Sequence, residues 1–247
     1  MEILGIDVGG SGIKGAIINT NTGVLTSERH RIPTPVPATP DAVAMCIKEL
    51  NEYFNWKGAV GCGFPTPQHH GKCLSGGNLH KTWDGVQIDA LFKAATGNDF
   101  TVVNDADAAG LAEVTFGAGN NVPGTVITIT LGTGIGSGLF LDGKLLPNTE
   151  FGHLLYKNGD IYEKYAADSI RKKEDLSYKS WGKRLNKYFN HLQLLLSPDL
   201  IIIGGGASKK LHKFQDQINV NFPIVAAESQ NNAGIIGAAL AAKEHIT

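Results

Sequence analysis

Apolar residues along this chain gather in short runs, bounded by glycine, proline and asparagine, and only a few stretches show helical spacing. Runs at 3–8 and 13–18 read as strands on either side of a turn at Gly9-Gly10-Ser11-Gly12. Asn21-Thr22-Gly23 turns the chain again before a third strand near 24–31. The prolines at 33, 35, 37 and 40 predict stiff, non-helical chain. Beyond them Ala42, Met45, Cys46, Leu50 and Phe54 fall near helical spacing, and Thr39 or Asp41 can cap that helix. The pattern then predicts a strand at 59–64, a long loop rich in Gly, His and Asn at 66–85, and a helix at 88–96 ended by Gly97-Asn98. A strand at 100–104 and a small-residue helix at 106–116 follow.

After residue 120 the pattern restarts. A strand at 125–131, a turn at Gly132-Thr133-Gly134 and a strand at 135–141 repeat the opening hairpin. Asp142-Gly143 is a favoured two-residue turn into a short return strand at 144–146. A helix around 181–196, a buried strand at 200–203, the Gly204-Gly205-Gly206 turn with a helix after it, and a small-residue helix at 233–244 complete the chain. A glycine-turn hairpin thus occurs twice, as a repeat of architecture more than of letters. Two similar α/β halves facing each other would leave a cleft, the usual place for a ligand.

Composition narrows the class. At 247 residues, with 42% hydrophobic and 18% charged, the chain can bury a sizeable core and is far from disorder. Lys and Arg total 22 against 23 Asp and Glu, a net charge of −1, which gives no case for nucleic acid or a membrane surface. No apolar run approaches the roughly 18 residues of a membrane span, and the chain starts directly as a strand, without a targeting segment. Three cysteines without a CxxC pair predict a reducing, cytoplasmic setting. The 31 glycines cluster, which is the first sign that backbone approaches something closely.

Three glycine loops and two acidic segments carry the candidate chemistry. In the first loop Gly9 and Gly10 let amides face an anion, Ser11 and Lys14 can donate to phosphate oxygens, and Asp7 can sit near an accompanying Mg²⁺ through water. Gly132-Thr133-Gly134 repeats the device, and Gly204-Gly205-Gly206 follows an apolar strand and opens a helix, whose N-terminus favours negative charge. One such loop is as readily a plain tight turn; three in one chain point to a phosphorylated ligand. None matches a Rossmann or P-loop pattern. At the end of the 100–104 strand Asn104-Asp105-Ala106-Asp107 presents carboxylates. Phosphoryl transfer to a hydroxyl needs one of them as base, and Asp105 is the candidate, with Asp107 as an alternative helix cap. Past the second hairpin, Glu150 and His153 can hold vicinal sugar hydroxyls, although a loop Glu and His are commonly just solvated.

In order, DVGGSGIK, VNDADAAGLAE, LGTGIGSG, NTEFGH and IIIGGGAS resemble the ROK family of sugar kinases over nearly the whole chain. The resemblance implies the actin-like ATPase (ribonuclease H-like) fold, with a small α/β domain from 1–105 plus 233–247 and a large one from 106–232. It implies Asp105 as general base, and Asn78, Asn104, Glu150, His153 and Glu163 as glucose ligands. The glycine loops would hold the phosphoryl donor with Mg²⁺, the product would carry phosphate on the sugar 6-hydroxyl, and the usual assembly is a homodimer. Many ROK proteins carry a zinc site with a CxCGxxGC run. Here His153 is followed by Leu154 to Tyr162 without a cysteine, and no zinc site is expected.

The likeness is strongest to the branch that takes its phosphoryl group from inorganic polyphosphate. Residue chemistry bears on that donor independently. Between Arg171 and Lys187 lie seven basic residues and two acidic ones. Lys179, Lys183 and Lys187 are four apart and would stack on one helix face, at a cost of about a few tenths of a kcal/mol per pair that a polyanion would remove. Lys209, Lys210 and Lys213 form a second group. A solvated basic face is the plain alternative. ATP as donor remains the main rival reading. A sugar-sensing repressor would need a helix-turn-helix ahead of the loop that starts at Asp7, and a sugar-binding protein without catalysis would have little use for Asp7, Lys14 and Asp105.

Overall fold

Strand β1 (Glu2–Gly9) is buried along nearly its whole length and pairs antiparallel with β2 (Gly12–Asn19), with Gly9 opposite Gly12 across the turn. The computed structural model describes residues 1–76 and 79–246. The strand expected at 24–31 is two pieces, β3 (Val24–Leu25) and β4 (His30–Ile32), both against β2. The break follows from Ser27, whose Oγ accepts from the Ile17 N–H at 2.9 Å and so replaces a backbone carbonyl in the ladder. Strand β5 (Val60–Phe64) runs parallel to β1. Within the expected loop, β6 (Gln68–His69) and β7 (Lys72–Cys73) form a small hairpin. Its turn residues His70 and Gly71 both have positive φ, as a tight two-residue turn demands. Strand β8 (Phe100–Asn104) completes a sheet of order β3-β2-β1-β5-β8, with β4 beside β2.

The second sheet repeats this plan. Strands β9 (Thr125–Leu131) and β10 (Ile135–Leu141) form the hairpin, and β11 (Lys144–Leu146) returns through Asp142-Gly143, both at positive φ. Strand β12 (Leu200–Gly204) is parallel to β9, and β13 (Ile224–Ala226), which no hydrophobic pattern announced, is parallel to β12. The order β11-β10-β9-β12-β13 matches the first sheet strand for strand: a hairpin with a third strand on one side and two parallel strands on the other. This is the duplicated α/β plan of the actin-like ATPase fold. The chain divides into two compact units, Met1–Ala112 with Asn232–Thr247, and Glu113–Asn231, each with its own apolar core.

In the first unit the small-residue character of the C-terminal helix Ala233–Ile246 has a packing cause. A Cβ at Gly5 of β1 would overlap the Ile235 carbonyl oxygen, and one at Gly61 of β5 would overlap that of Ala238. The helix therefore lies on the sheet backbone to backbone. Gly237 likewise admits the Ala108 carbonyl, so the helix Asp105–Phe116 rests directly on the C-terminal helix. These contacts set where Asp105 emerges from the sheet. In the second unit the helix Tyr178–Leu196 starts earlier than its apolar spacing suggested, because Ser177 caps it by accepting from the Ser180 N–H at 3.1 Å. Its buried face carries Trp181, Leu185, Tyr188, Phe189 and Leu192, and Trp181 is fixed by an Nε1–H bond to the Ala166 carbonyl.

Candidate functional site

The first glycine turn is tied down through its carbonyls. Arg31 Nη2 donates to the Ser11 carbonyl at 2.5 Å, and Thr34 Oγ1 donates to that of Gly9 at 2.5 Å. The N–H groups of Gly10 and Ser11 have no acceptor among the described residues. The turn therefore offers donors, the polarity an anion requires. Asp7 and Lys14 are register partners on β1 and β2, and their side chains form an ion pair at 3.3 Å. The Asp7 carboxylate packs on the first turn of the C-terminal helix, where a Cβ on Gly234 would stand 2.9 Å from its carboxyl carbon. Lys14 thus reaches the neighbourhood of the turn while already partnered, and an incoming phosphate would share it with Asp7.

Strand β8 hands over to the helix Asp105–Phe116 without a loop. The cap is Asn104: its Oδ1 accepts from the N–H of Ala106 at 2.8 Å and of Asp107 at 3.3 Å. Asn104 therefore caps these two N–H groups, a role that was the alternative reading for either acid. Asp105 is half-buried at the strand end, whereas Asp107 is 1% exposed and so withdrawn from solvent. Asn104 has two uses available: Oδ1 holds the helix start, and its amide nitrogen has no hydrogen-bond acceptor among the described residues.

In the second unit the same carbonyl restraint recurs with other groups. Ser169 donates from its N–H to the Gly132 carbonyl at 3.0 Å and from its Oγ to the Thr133 carbonyl at 2.6 Å. The Thr133 N–H has no acceptor among the described residues. Glu163 lies against this turn, where Oε2 accepts from the Ile135 N–H at 2.8 Å and fills the space a side chain on Gly134 would need. Gly205 alone of the third glycine triplet has positive φ, at 71°, and a side chain there would crowd the Leu131 carbonyl. The helix expected after it is a 3₁₀ helix, Gly205–Lys213, with Ser208 Oγ donating to the Gly205 carbonyl.

Glu150 and His153 are joined, Oε2 to Nδ1, at 3.3 Å. Burial pushes the Glu150 carboxyl above its ordinary value; His153 opposes that, and the like charge of Glu163 adds to it. Glu150, His153 and Glu163 therefore form one cluster. Ser137 of β10 builds its approach: Oγ donates to the Thr149 carbonyl at 2.6 Å and accepts from the Phe151 N–H at 2.9 Å, which clamps the loop on both sides of Glu150. Gly152 lets that loop touch the Ile135 carbonyl, where a Cβ would not fit.

The helix Tyr178–Leu196 carries the lysine stripe. Lys179 and Lys183 are exposed, while Lys187 Nζ lies 3.5 and 3.4 Å from the hydroxyls of Tyr156 and Tyr165, whose rings stack at 4.0 Å. Asn78 lies outside the described residues. Sequence reasoning gave no role to Ser137, Gly152 or Glu113. The 2%-exposed Glu113 carboxylate accepts from the N–H groups of Ala118, Glu228 and Ser229. Their signals were the serine in GIGSG, the glycine within FGH and a third acid in the segment DADAAGLAEV.

The sequence profile of the ROK family matches residues 3–163. The chain is 45% identical to a polyphosphate glucokinase of Mycobacterium tuberculosis, over 96% of this chain and 89% of that one. Among solved structures, an inorganic polyphosphate/ATP-glucomannokinase from Arthrobacter sp. strain KM superposes with a TM-score of 0.92 at 43% identity and covers 99% of both chains. A ROK family glucokinase from Streptomyces griseus shares the fold at 22% identity, with a TM-score of 0.84, 99% of this chain and 100% of that one.

Proposed function

This chain belongs to the ROK family, and from that premise we propose that it transfers a phosphoryl group from inorganic polyphosphate to the 6-hydroxyl of glucose. The observation that carries the reading is the near full-length, 45% identity to a polyphosphate glucokinase. Within each unit the local arrangement of donors and carboxylates supports that chemistry. In this reading the Asp105 carboxylate takes the hydroxyl proton as the sugar oxygen bonds to the terminal phosphorus. The bridging P–O bond breaks, and a polyphosphate one unit shorter leaves. Asn104, Glu150, His153 and Glu163, with Asn78, hold the sugar. The turns at Gly9-Gly10-Ser11, Gly132-Thr133-Gly134 and Gly204-Gly205-Gly206 hold the donor through amides, with Lys14 beside the first.

Mg²⁺ is part of the proposal. Asp7 suits contact through a metal-bound water, as a single carboxylate beside a donor-lined turn. No group of three His, Cys, Asp or Glu side chains fit to hold an ion occurs among the described residues. The ion supplies charge neutralisation on the donor phosphates. A cytoplasmic homodimer is the assembly and location that go with the family. Among the described residues no helix is long and apolar enough to cross a membrane.

The first assay combines glucose, Mg²⁺ and either polyphosphate or ATP, and reads glucose 6-phosphate. Product with polyphosphate is expected; product with ATP alone keeps a sugar kinase and removes the proposed donor. A second arm with mannose and with ATP is warranted because the Arthrobacter relative is a polyphosphate/ATP-glucomannokinase. Replacing Lys179, Lys183 and Lys187 together by alanine should lower polyphosphate-dependent kcat/KM by about tenfold and ATP-dependent kcat/KM much less. Equal losses on both donors would remove the stripe from donor binding.

Acidity gives a further prediction. In this reading the ionised Glu150 carboxylate accepts hydrogen bonds from sugar hydroxyls, and burial, with the like charge of Glu163, raises its carboxyl against the opposing pull of His153. A raised carboxyl gains its proton at a higher pH than an ordinary one. The KM for glucose should therefore climb as pH falls, starting above the usual carboxylate range. In Glu150→Gln that limb should vanish and KM should be high throughout. An acid limb that persists in Glu150→Gln assigns it to another group.

A further inference from the structure

Two basic groups far apart in sequence meet on one aromatic ring. Tyr178 has the Arg171 guanidinium 4.6 Å from its ring centroid, Lys213 Nζ at 5.3 Å and Lys210 Nζ at 5.9 Å. The ring is half-buried and held by large neighbours, Trp181 edge-on at 6.2 Å and Phe214 near-parallel at 6.5 Å. Arg171 is fixed by Asp168 at 2.6 Å, and Asp168 is shared with Lys172 at 2.7 Å. Lys210 and Lys213 are exposed and have no ion pair among the described residues. One ring face attracts a cation by a modest amount, and three cations around it repel one another. Asp168, the acid that pairs with Arg171, is itself shared with Lys172. What would relieve the crowding is an anion outside the chain.

The shape of the surroundings says which kind. Tyr178 opens the helix Tyr178–Leu196, so the positive end of a helix of 19 residues adds to the same field. From this end the stripe Lys179, Lys183, Lys187 runs along the helix. On the other side Lys210 and Lys213 lie on the 3₁₀ helix that starts at the Gly205 turn. Cations therefore continue from a glycine turn, past Tyr178, to the lysine stripe, all within one compact unit. A compact anion would use one station of such a track; a linear chain of phosphates would use them all.

We infer that Arg171, Tyr178, Lys210 and Lys213 form a second anion station that holds a distant segment of a long polyphosphate chain. This deepens the proposed function and rests on polyphosphate as donor. The site makes affinity depend on polymer length, because a short donor engages only the reacting end while a long one is held at two places. Its contacts are equal before and after transfer, so it affects KM and leaves kcat alone.

The test is the double variant Lys210→Ala/Lys213→Ala in the full chain, both positions being exposed. Glucose 6-phosphate formation is measured with long-chain polyphosphate, tripolyphosphate and ATP. KM for the long chain should rise about tenfold, with kcat for all donors and KM for tripolyphosphate and ATP changed by less than about twofold. An unchanged long-chain KM, or the same loss on every donor, overturns the inference. Should the unaltered protein form no product from polyphosphate, the donor assignment fails by itself. The station is then judged on equilibrium binding of long-chain polyphosphate: weaker binding by the double variant supports it, and equal binding by both proteins overturns it.

Discussion

Asp105→Asn should lower kcat by about a thousandfold while glucose still binds with near-normal affinity. The change keeps the shape of the side chain and removes its negative charge, and with it the capacity to take a proton. The start of the helix should survive, because Asn104 Oδ1 and not Asp105 holds the N–H groups of Ala106 and Asp107. Sugar affinity is assigned to Asn104, Glu150, His153 and Glu163, none of which is altered. Steady-state rates with saturating donor, together with calorimetric titration of glucose, separate the two quantities. Turnover near that of the unaltered protein would take the role of base away from Asp105. Loss of glucose binding in parallel with turnover would make Asp105 a sugar ligand first.

Gly61→Ala should destabilise the first unit by about 3 kcal/mol or more, although it adds a single methyl group. Gly61 lies on β5, between β1 and β8, and the C-terminal helix presses its Ala238 carbonyl onto the space a Cβ would occupy. Backbone cannot turn aside as a side chain can, so the helix must lift or the strand must shift. Either movement disturbs the neighbouring contacts of Gly5 with Ile235 and of Gly237 with Ala108. The helix that begins with Asp105 rests on this stack, so activity should fall with stability. Chemical denaturation followed by circular dichroism reads the effect. A midpoint equal to that of the unaltered protein would contradict so close a seating of the helix.

Much of the candidate site could be read before the fold was known, and the readable part has a common character. Glu150 and His153 are three residues apart, and Asn104 and Asp105 are adjacent, so their association is local. The hairpin turns were legible for the same reason: Asp142-Gly143 needs two positive φ values, and asparagine, aspartate and glycine adopt them at low cost. Glu163 marks the limit. Its place against the Gly132-Thr133-Gly134 turn depends on a bond to Ile135, 28 residues away, which no spacing rule announces.

The sequence by itself determined the duplicated hairpin plan, the helix of small residues at the end of the chain and the family, and it singled out the acid proposed as base. Each of these is written in local periodicity, turn chemistry or an ordered set of short motifs. Only the tertiary structure decided that Ser27 interrupts a strand, that Ser137 clamps the loop of Glu150, and that glycines in two strands serve helix docking as opposed to ligand approach. It also brought Arg171 and Lys213 to one tyrosine across 42 residues of chain. The physical reason is the range of the interactions. A turn or a helix face is set by neighbours within about a turn of chain. Close backbone packing and the gathering of like charges arise only when distant segments are brought into one core, where volume and electrostatics are shared.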